Sequence, residues 1–577
     1  MLAINIDDVI NVINSIKAYL IGFGVVAVLL ILAMILCGKL SKSKKYLVRF
    51  NSALGLVLAL GITVNLILIG PMNSMVTLAT GGGKVSEENV AASTELCENI
   101  AEEGIVLLDN DGTLPLAKNS KLNVFGWAST NPCYGGTGSG ALSDAYPTVS
   151  LLDGLTNAGF ELNTELSDFY TDYRADRPEV GMWAQDWTLP EPEAAQYSDD
   201  LLANAKAFSD TAMVVITRVG GEGADLPTDV SQVTYDAGHS YNDFEAGEHY
   251  LQLSKTEKDM VDLVCKNFDN VVVVYNGANA MELGWVKDYS QIKSVIWCAG
   301  TGQSGFNALG SILCGDVNPS GRSIDTFVYD LTKTPTWNNF GNFIYDNMDE
   351  FGATSFGAET TPGFVNYVEG IYVGYKFYET AAVEGLIDYD KTVVYPFGHG
   401  LSYTTFEQTL NSVTESNGAV TVDVTVTNKG NTAGKDVVEV YYNPPYTNGG
   451  IEKASANLID FAKTDILEPG ASENVQITFN TEDMASYDAH GKGCYVLEAG
   501  DYVISINSDS HTVIDSKTIN VGSEVVYDAN NARSTDAVAA TNEFADAEGN
   551  VTYLSRADGF ANYAEATAAP ASMTMPA

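Results

Sequence analysis

The stretch "YLIGFGVVAVLLILAMILC", residues 19–37, runs without a single charge. At 1.5 Å per helical residue it is long enough to cross most of a hydrocarbon layer. A second charge-free run, "NSALGLVLALGITVNLILIGP", follows at 51–71. Its Asn65 is tolerable there if it faces the partner helix or hydrogen-bonds to it. Between the two lies "GKLSKSKKYLVRF" (38–50), whose charges Lys39, Lys42, Lys44, Lys45 and Arg49 are all positive. Cationic loops tend to stay cytoplasmic, so the pair reads as a transmembrane hairpin with both ends outside. The competing reading is a cleaved signal peptide followed by a buried helix. It is disfavoured because the first run lacks a small-residue cleavage site and a second span follows. The expectation is a multi-pass cell-membrane protein with an N-terminal tail (1–18), spans at 19–37 and 51–71 joined by a cytoplasmic basic loop (38–50), and extracellular main domains.

The 577 residues leave room for two or three sizeable cores beyond the hairpin. Two of the 74 acidic and six of the 30 basic residues precede residue 72, so the remainder carries a net charge of −48. Such a surface repels phosphate backbones, and no basic stripe offsets it, which excludes a nucleic-acid role. The seven cysteines (37, 97, 133, 265, 298, 314 and 494) include no CxxC pair. They give no metal signature and no disulfide framework, and read as small buried hydrophobes, with one disulfide left open.

After a connector at 72–90, Val- and Ile-rich strands recur at "LNVFGW" (122–127), "TAMVVITRV" (211–219), "NVVVVYN" (270–276) and "KSVIWCAG" (293–300). Helix-like stretches separate them. "SKTEKDMVDLVCKNF" (254–268) opens with Ser254 as an N-cap and Glu257 three residues on, a capping box. Apolar strands alternating with helices indicate a three-layer α/β sandwich with a largely parallel sheet, spanning 91–403. Ligands meet such sheets at the carboxyl ends of the strands.

That edge is where "GGEG" (220–223) falls, directly after the strand 211–219. Glycines there let a ligand approach the main chain. A carboxyl group on that turn, shielded by a ligand and apolar walls, would have a raised pKa suited to protonating a leaving group. A solvated turn glutamate is the plainer alternative for Glu222, and Arg218 and Asp225 beside it read as structural or surface ion-pair residues. "CYGGTGSG" (133–140) carries no Walker lysine and no Rossmann spacing, so it is a site-lining or surface loop and not a nucleotide cradle. His239 and His249 lie among Asp243, Glu245 and Glu248, without any strict metal-ligand spacing. His399, in "YPFGHGLSY", suits a domain-junction turn. No G-x-S-x-G elbow is present, and "GTGQSGF" (300–306) is a turn.

From residue 404 to 520 the pattern becomes short alternating strands, as in "GAVTVDVTVTNKGNTAGKDVVEVYYNPP", which indicates a β-sandwich. Residues 521–577 are rich in Ala, Asn, Asp, Ser and Thr and read as linker or as the start of a further domain.

Five motifs in order resemble the second and third domains of glycoside hydrolase family 3, the β-glucosidase family. They are "EEGIVLLDNDGTLPL" (102–116), with Asp109 where lysine commonly stands, "TRVGGEGADLP" (217–227), "GDVNPSGRSIDTF" (315–327), "YVEGIYVGYKFYE" with "YPFGHGLSYTTF" (367–406), and "VTNKGNTAGKDVVEVY" with "LEPGASENVQITF" (426–479). The resemblance covers roughly 90–515. It implies that the β-sandwich is fibronectin-type-III-like, and that Glu222 is the general acid/base of a retaining glycosidase acting on terminal β-linked sugars. It implies no organic cofactor, and the sequence demands no metal.

A retaining mechanism also needs a nucleophilic carboxylate about 5 Å away. In the family this is an aspartate of a (β/α)₈ barrel, which takes about 250 residues. Neither the 72–90 connector nor the residues after the sandwich can hold one. Some family members resemble this chain with the barrel after the sandwich, and "GNVTYLSRADGFANY" (549–563) looks like the approach to it. Asp558 in that stretch is not expected to be the nucleophile. Two readings follow: the front portion of a membrane-anchored β-glucosidase whose barrel comes from a downstream segment or another chain, or a non-catalytic surface protein, glycan-binding or structural, on the same fold.

Overall fold

The computed structural model describes residues 6–80, 85–142, 146–180, 186–223, 225–233, 243–341, 343–348, 354–355, 358–359, 363–543 and 551–574. The chain divides into two compact units: Met1–Ala91 with Ile344–Gly363, and Ala92–Phe343 with Phe364–Ala577.

In the first unit, α1 (Ile6–Leu36) and α2 (Lys42–Ile69) form the hairpin, followed by α3 (Asn73–Thr80). Both long helices are apolar enough to cross a membrane. Small residues mediate their contact. Ser52 is buried, and a methyl group on Gly55 would stand 3.2 Å from Leu30 Cδ1. Large apolar side chains such as Leu29, Ile35, Val57 and Ile69 face outward instead. The expected basic loop at 38–50 needs correcting. The turn is confined to Cys37–Ser41, and residues 42–50 are the first turns of α2. Lys, Arg, Leu and Tyr are adequate helix formers, and no Gly or Pro interrupts 42–50, so the helix propagates through the charges.

The second unit begins within α4 (Glu87–Gly104). Its sheet comprises β1 (Val106–Asn110), β2 (Lys121–Phe125), β3 (Glu161–Leu162), β4 (Thr211–Thr217), β5 (Asn270–Asn276) and β6 (Ile292–Cys298), in the order β1-β6-β5-β4-β2-β3. All neighbours are parallel except β1, which runs antiparallel to β6. Strand residues alternate between two cores. Val214, Ile216, Val273 and Tyr275 pack against α6 (Thr164–Tyr173), α7 (Asp199–Phe208) and α8 (Lys255–Asn267). Met213, Val215, Val272 and Val274 pack against α5 (Leu151–Asn157) and α9 (Phe306–Leu313). The two faces explain why the strands read as unbroken apolar runs. Ser254 and Glu257 form the capping box at the start of α8.

The following sandwich sets a sheet of strands 406–416, 419–428 and 472–480 against one of strands 457–463, 437–443, 500–507 and 513–521. Val420, Val422, Val424 and Val426 point into its core. His399 sits at the junction, where its Nε2 donates to the Leu108 carbonyl (2.8 Å) and burial lowers its pKa. Arg322 pairs with Asp436 (2.8 Å), and Lys463 with Glu103 (2.6 Å).

The linker reading of 521–577 does not hold for the described residues 551–568. Leu554, Phe560 and Ala566 are buried against Tyr372, Phe377 and Tyr378. Arg556 Nε donates to Glu384 (2.7 Å), and its Nη1 to the Lys453 carbonyl (2.9 Å). Asp558 adopts φ 52° and accepts from Asn448 Nδ2 (2.8 Å). Composition misleads here because three anchoring side chains dock a segment that is otherwise small and polar.

Two buried acids make stability depend on pH. Burial pushes the carboxyls of Glu191 and Glu439 up to about 8, although Tyr197 and Trp127 donate to the first and Tyr441 to the second. Burial likewise pushes Asp243 up to about 6. Folded-state values above the unfolded ones mean that the folded chain holds more protons in between. The stabilisation is therefore complete below the unfolded value, near 4.5, and is lost as pH rises through 8. His399, with its lowered pKa, acts in the opposite sense only as the medium becomes acidic. The thermal midpoint of the detergent-solubilised chain should be several degrees higher at pH 5.5 than at pH 8.5, and Glu191→Gln with Glu439→Gln should flatten that difference. A midpoint that climbs toward pH 8.5 would contradict this assignment.

Candidate active site

The site is built on the carboxyl end of β4, which lies between β2 and β5 and is buried along its length. Arg218 fixes the chain where it leaves the sheet. Its side chain is wholly buried, with Nη1 and Nη2 donating to the two carboxylate oxygens of Glu257 (2.8 and 2.7 Å). Nε donates to the Tyr250 carbonyl (2.6 Å) and Nη2 to the Gln252 carbonyl (2.5 Å). Both ends of the excursion from 218 to 257 are thus tied together by one guanidinium. Glu257 accepts from Arg218 and from the Ser254 backbone N–H (2.9 Å), so the helix cap and the ion pair share one carboxylate. The structural ion-pair reading of Arg218 agrees with this geometry.

Glu222 stands on the turn beyond Arg218, exposed to solvent. The glycine loop 133–140 packs directly against it. The Thr137 hydroxyl donates to the Glu222 carbonyl (3.4 Å). A methyl group on Gly138, at φ 64°, would lie 2.7 Å from Glu222 Oε2. One on Gly221 would lie 2.5 Å from the Thr137 nitrogen. The two glycine-rich motifs are adjacent because neither carries a Cβ at the point of approach. Gly221→Ala should therefore separate the loops and cost about 1–3 kcal/mol, read as a lower urea midpoint. An unchanged midpoint would mean that the loops do not touch.

The glycine loop is rooted by Asn276, fully buried at the end of β5. Asn276 Oδ1 accepts from the Cys133 N–H (2.6 Å), and Nδ2 donates to the carbonyls of Cys133 (3.0 Å) and Cys298 (2.9 Å). A second network sets the turn after β2: the Gly126 N–H donates to Tyr170 Oη (2.7 Å), the Tyr170 hydroxyl donates to Tyr197 Oη (2.8 Å), and Glu191 accepts from Tyr197 and from the Trp127 N–H (2.8 Å). Sequence reasoning missed Asn276, Tyr170, Tyr197 and Glu191. A polar residue closing an otherwise apolar strand, as in "VVVVYN", was the one available signal, and it marks only the first of them.

A cleft of about 450 Å³ opens beside the turn, lined by Gly220, Gly221, Asp225, His249, Asn279, Trp337 and Phe340, among others. Asp225 thus faces the cleft, while Glu222 lies on the neighbouring part of the turn, against Gly138. His249 Nε2 donates to Glu282 Oε1 (3.0 Å), and its Nδ1 accepts from the Leu251 N–H (3.1 Å), so both ring nitrogens are engaged. His239 lies outside the described residues. Among the described residues, no group of three or more His, Cys, Asp or Glu side chains converges as a metal site. All seven cysteines are free thiols; all are buried except Cys97, which is half-buried. Asp109 pairs with Lys287 (2.6 Å).

The second unit is thus a largely parallel sheet covered by helices on both faces, with a glutamate between glycines at its carboxyl edge, followed by a β-sandwich. Residues 105–375 match the Glycosyl hydrolase family 3 C-terminal domain, and residues 436–510 match the Fibronectin type III-like domain. β-Glucosidase A of Butyrivibrio fibrisolvens is 35% identical over 445 residues, covering 72% of this chain and 50% of that protein. A Ruminococcus albus β-glucosidase is 32% identical over 425 residues, covering 72% and 40%. The solved β-glucosidase of Paenibacillus barengoltzii superposes with a TM-score of 0.62 at 30% identity, over 75% of this chain and 44% of that one. Residues 105–375 are thus a glycosyl hydrolase family 3 C-terminal domain, followed by a fibronectin type III-like domain. The chain spans about half the length of the curated relatives it matches.

Proposed function

We propose that this chain supplies the proton-handling half of a retaining, β-glucosidase-type O-glycosyl hydrolase. Glu222 is its general acid/base, protonating the leaving glycosidic oxygen and then deprotonating the water that releases the glycosyl intermediate. The nucleophilic carboxylate comes from a (β/α)₈ barrel, in a further segment or a separate chain. The observation that carries this reading is Glu222 itself. It stands exposed on a glycine turn at the ligand-binding edge of the sheet, fixed by the buried Arg218–Glu257 pair, within a span shared with β-glucosidases. A domain closing over that edge would shield Glu222 from water and raise its proton affinity as an acid catalyst requires. Two carboxylates suffice for this chemistry, so neither cofactor nor metal is invoked. The outward apolar faces of α1 and α2 support a bilayer anchor, with the main domains extracellular.

The test is turnover of cellobiose and of p-nitrophenyl β-glucoside by the purified chain, alone and with the half of Butyrivibrio β-glucosidase A that it does not match. Turnover is expected only in the mixture, and only while Glu222 is intact. Hydrolysis by the chain alone, unaltered in Glu222→Gln, would remove the assignment. The cleft with Trp337 and Phe340 in its wall supports a second reading, a non-catalytic glycan-binding surface protein. That reading predicts saturable oligosaccharide binding and no turnover in either sample.

A further inference from the structure

The helical start of α2 changes what its charges can do. Residues 42–50 rise about 14 Å, and the charge-free 51–69 about 28 Å, close to the hydrocarbon thickness of about 30 Å. The charged segment is therefore a rigid overhang that continues the span. Lys42, Lys45 and Arg49, at i, i+3 and i+7, share one face of it. None of the three has an ion-pair partner among the described residues, and Lys42 and Arg49 are exposed. Lys42, the first helical residue, also stands at the end of α2 where the macrodipole is already positive, which is unfavourable without an anion nearby. On the adjoining face, Tyr46 and Phe50 stack with ring centroids 6.1 Å apart and remain 68% and 54% exposed. Aromatic rings in such exposure are suited to headgroup depth, and cations beside them to lipid phosphates.

We propose that this overhang is a docking face for the headgroups of anionic phospholipids, with Lys42, Lys45 and Arg49 holding the phosphodiesters and Tyr46 and Phe50 seated among the headgroups. The proposal rests on the hairpin's lying in a bilayer. The source of the anion is the leaflet and not free phosphate, because the cationic face is continuous with the apolar span and with two rings that need an interface. An acidic protein partner would leave those rings in water.

The experiment reconstitutes the full chain in vesicles of phosphatidylcholine, alone or mixed with phosphatidylglycerol. Preference for spin-labelled phosphatidylglycerol over phosphatidylcholine is then measured at low and high salt. The chain should resist carbonate extraction from both vesicles and prefer the anionic label. The triple variant Lys42→Gln/Lys45→Gln/Arg49→Gln should lose about tenfold of that preference, while Lys39→Gln/Lys44→Gln, off the stripe, keeps most of it. High salt should weaken the preference and added inorganic phosphate leave it unchanged. Equal loss in the two variants, or no preference in a carbonate-resistant wild type, would overturn the proposal while leaving the hairpin standing. Release by carbonate from both vesicles would overturn the hairpin reading and the proposal with it.

Discussion

Under the proposed assignment, Glu222→Gln in the chain combined with its barrel half should lower turnover of cellobiose by about 10²–10⁴-fold, the range that a positioned general acid/base contributes. The loss should depend on the leaving group. A 2,4-dinitrophenyl glucoside departs without protonation, so its first step survives the substitution and a glycosyl intermediate accumulates. Added azide, which needs no general base, should then restore turnover by attacking that intermediate. A uniform loss across leaving groups without azide rescue would indicate a structural role for Glu222. The measurement is steady-state kinetics on a graded series of aryl glucosides.

The second large effect concerns folding. Glu257→Ala should destabilise the second unit by about 3–5 kcal/mol, because it strands the buried Arg218 guanidinium without its bidentate partner. The same change removes the carboxylate that accepts from the Ser254 N–H, at a cost of about 1 kcal/mol from the cap of α8. Replacing both members, as in Arg218→Met/Glu257→Leu, should recover much of the loss, since no uncompensated charge then remains. Denaturant unfolding followed by tryptophan fluorescence reads both. A Glu257→Ala midpoint equal to that of wild type would mean that water reaches Arg218. Arg218→Lys should fall between the two, because an ammonium cannot reproduce the two parallel hydrogen bonds.

The glycine turn and its strand were legible because the local signals agree. β4 is apolar from Ala212 to Ile216, the turn after it is glycine-rich, and the carboxyl edge of a parallel sheet is where such sheets bind ligands. The two apolar helices and the alternating sandwich strands were legible for the same reason, since a period of two, or a long charge-free run, survives any tertiary context. Less legible were the ends of elements. The basic segment was read as a loop from its charge, yet charge does not stop a helix of good helix formers. Residues 551–568 were read as linker or the start of a further domain from composition, yet Leu554, Phe560 and Ala566 anchor them, Phe560 through the rings of Tyr372 and Phe377.

The sequence by itself determined the layers, the two long apolar helices and the glycine turn that carries Glu222, since each follows from short-range periodicity and from residue types that permit few alternatives. Only the tertiary structure decided that the glycine loop 133–140 closes on Glu222, that Asn276 roots that loop, and that Arg218 joins residues 39 positions apart. Such contacts are made by groups distant in sequence, whose meeting depends on the order of strands in the sheet. No local pattern carries that order.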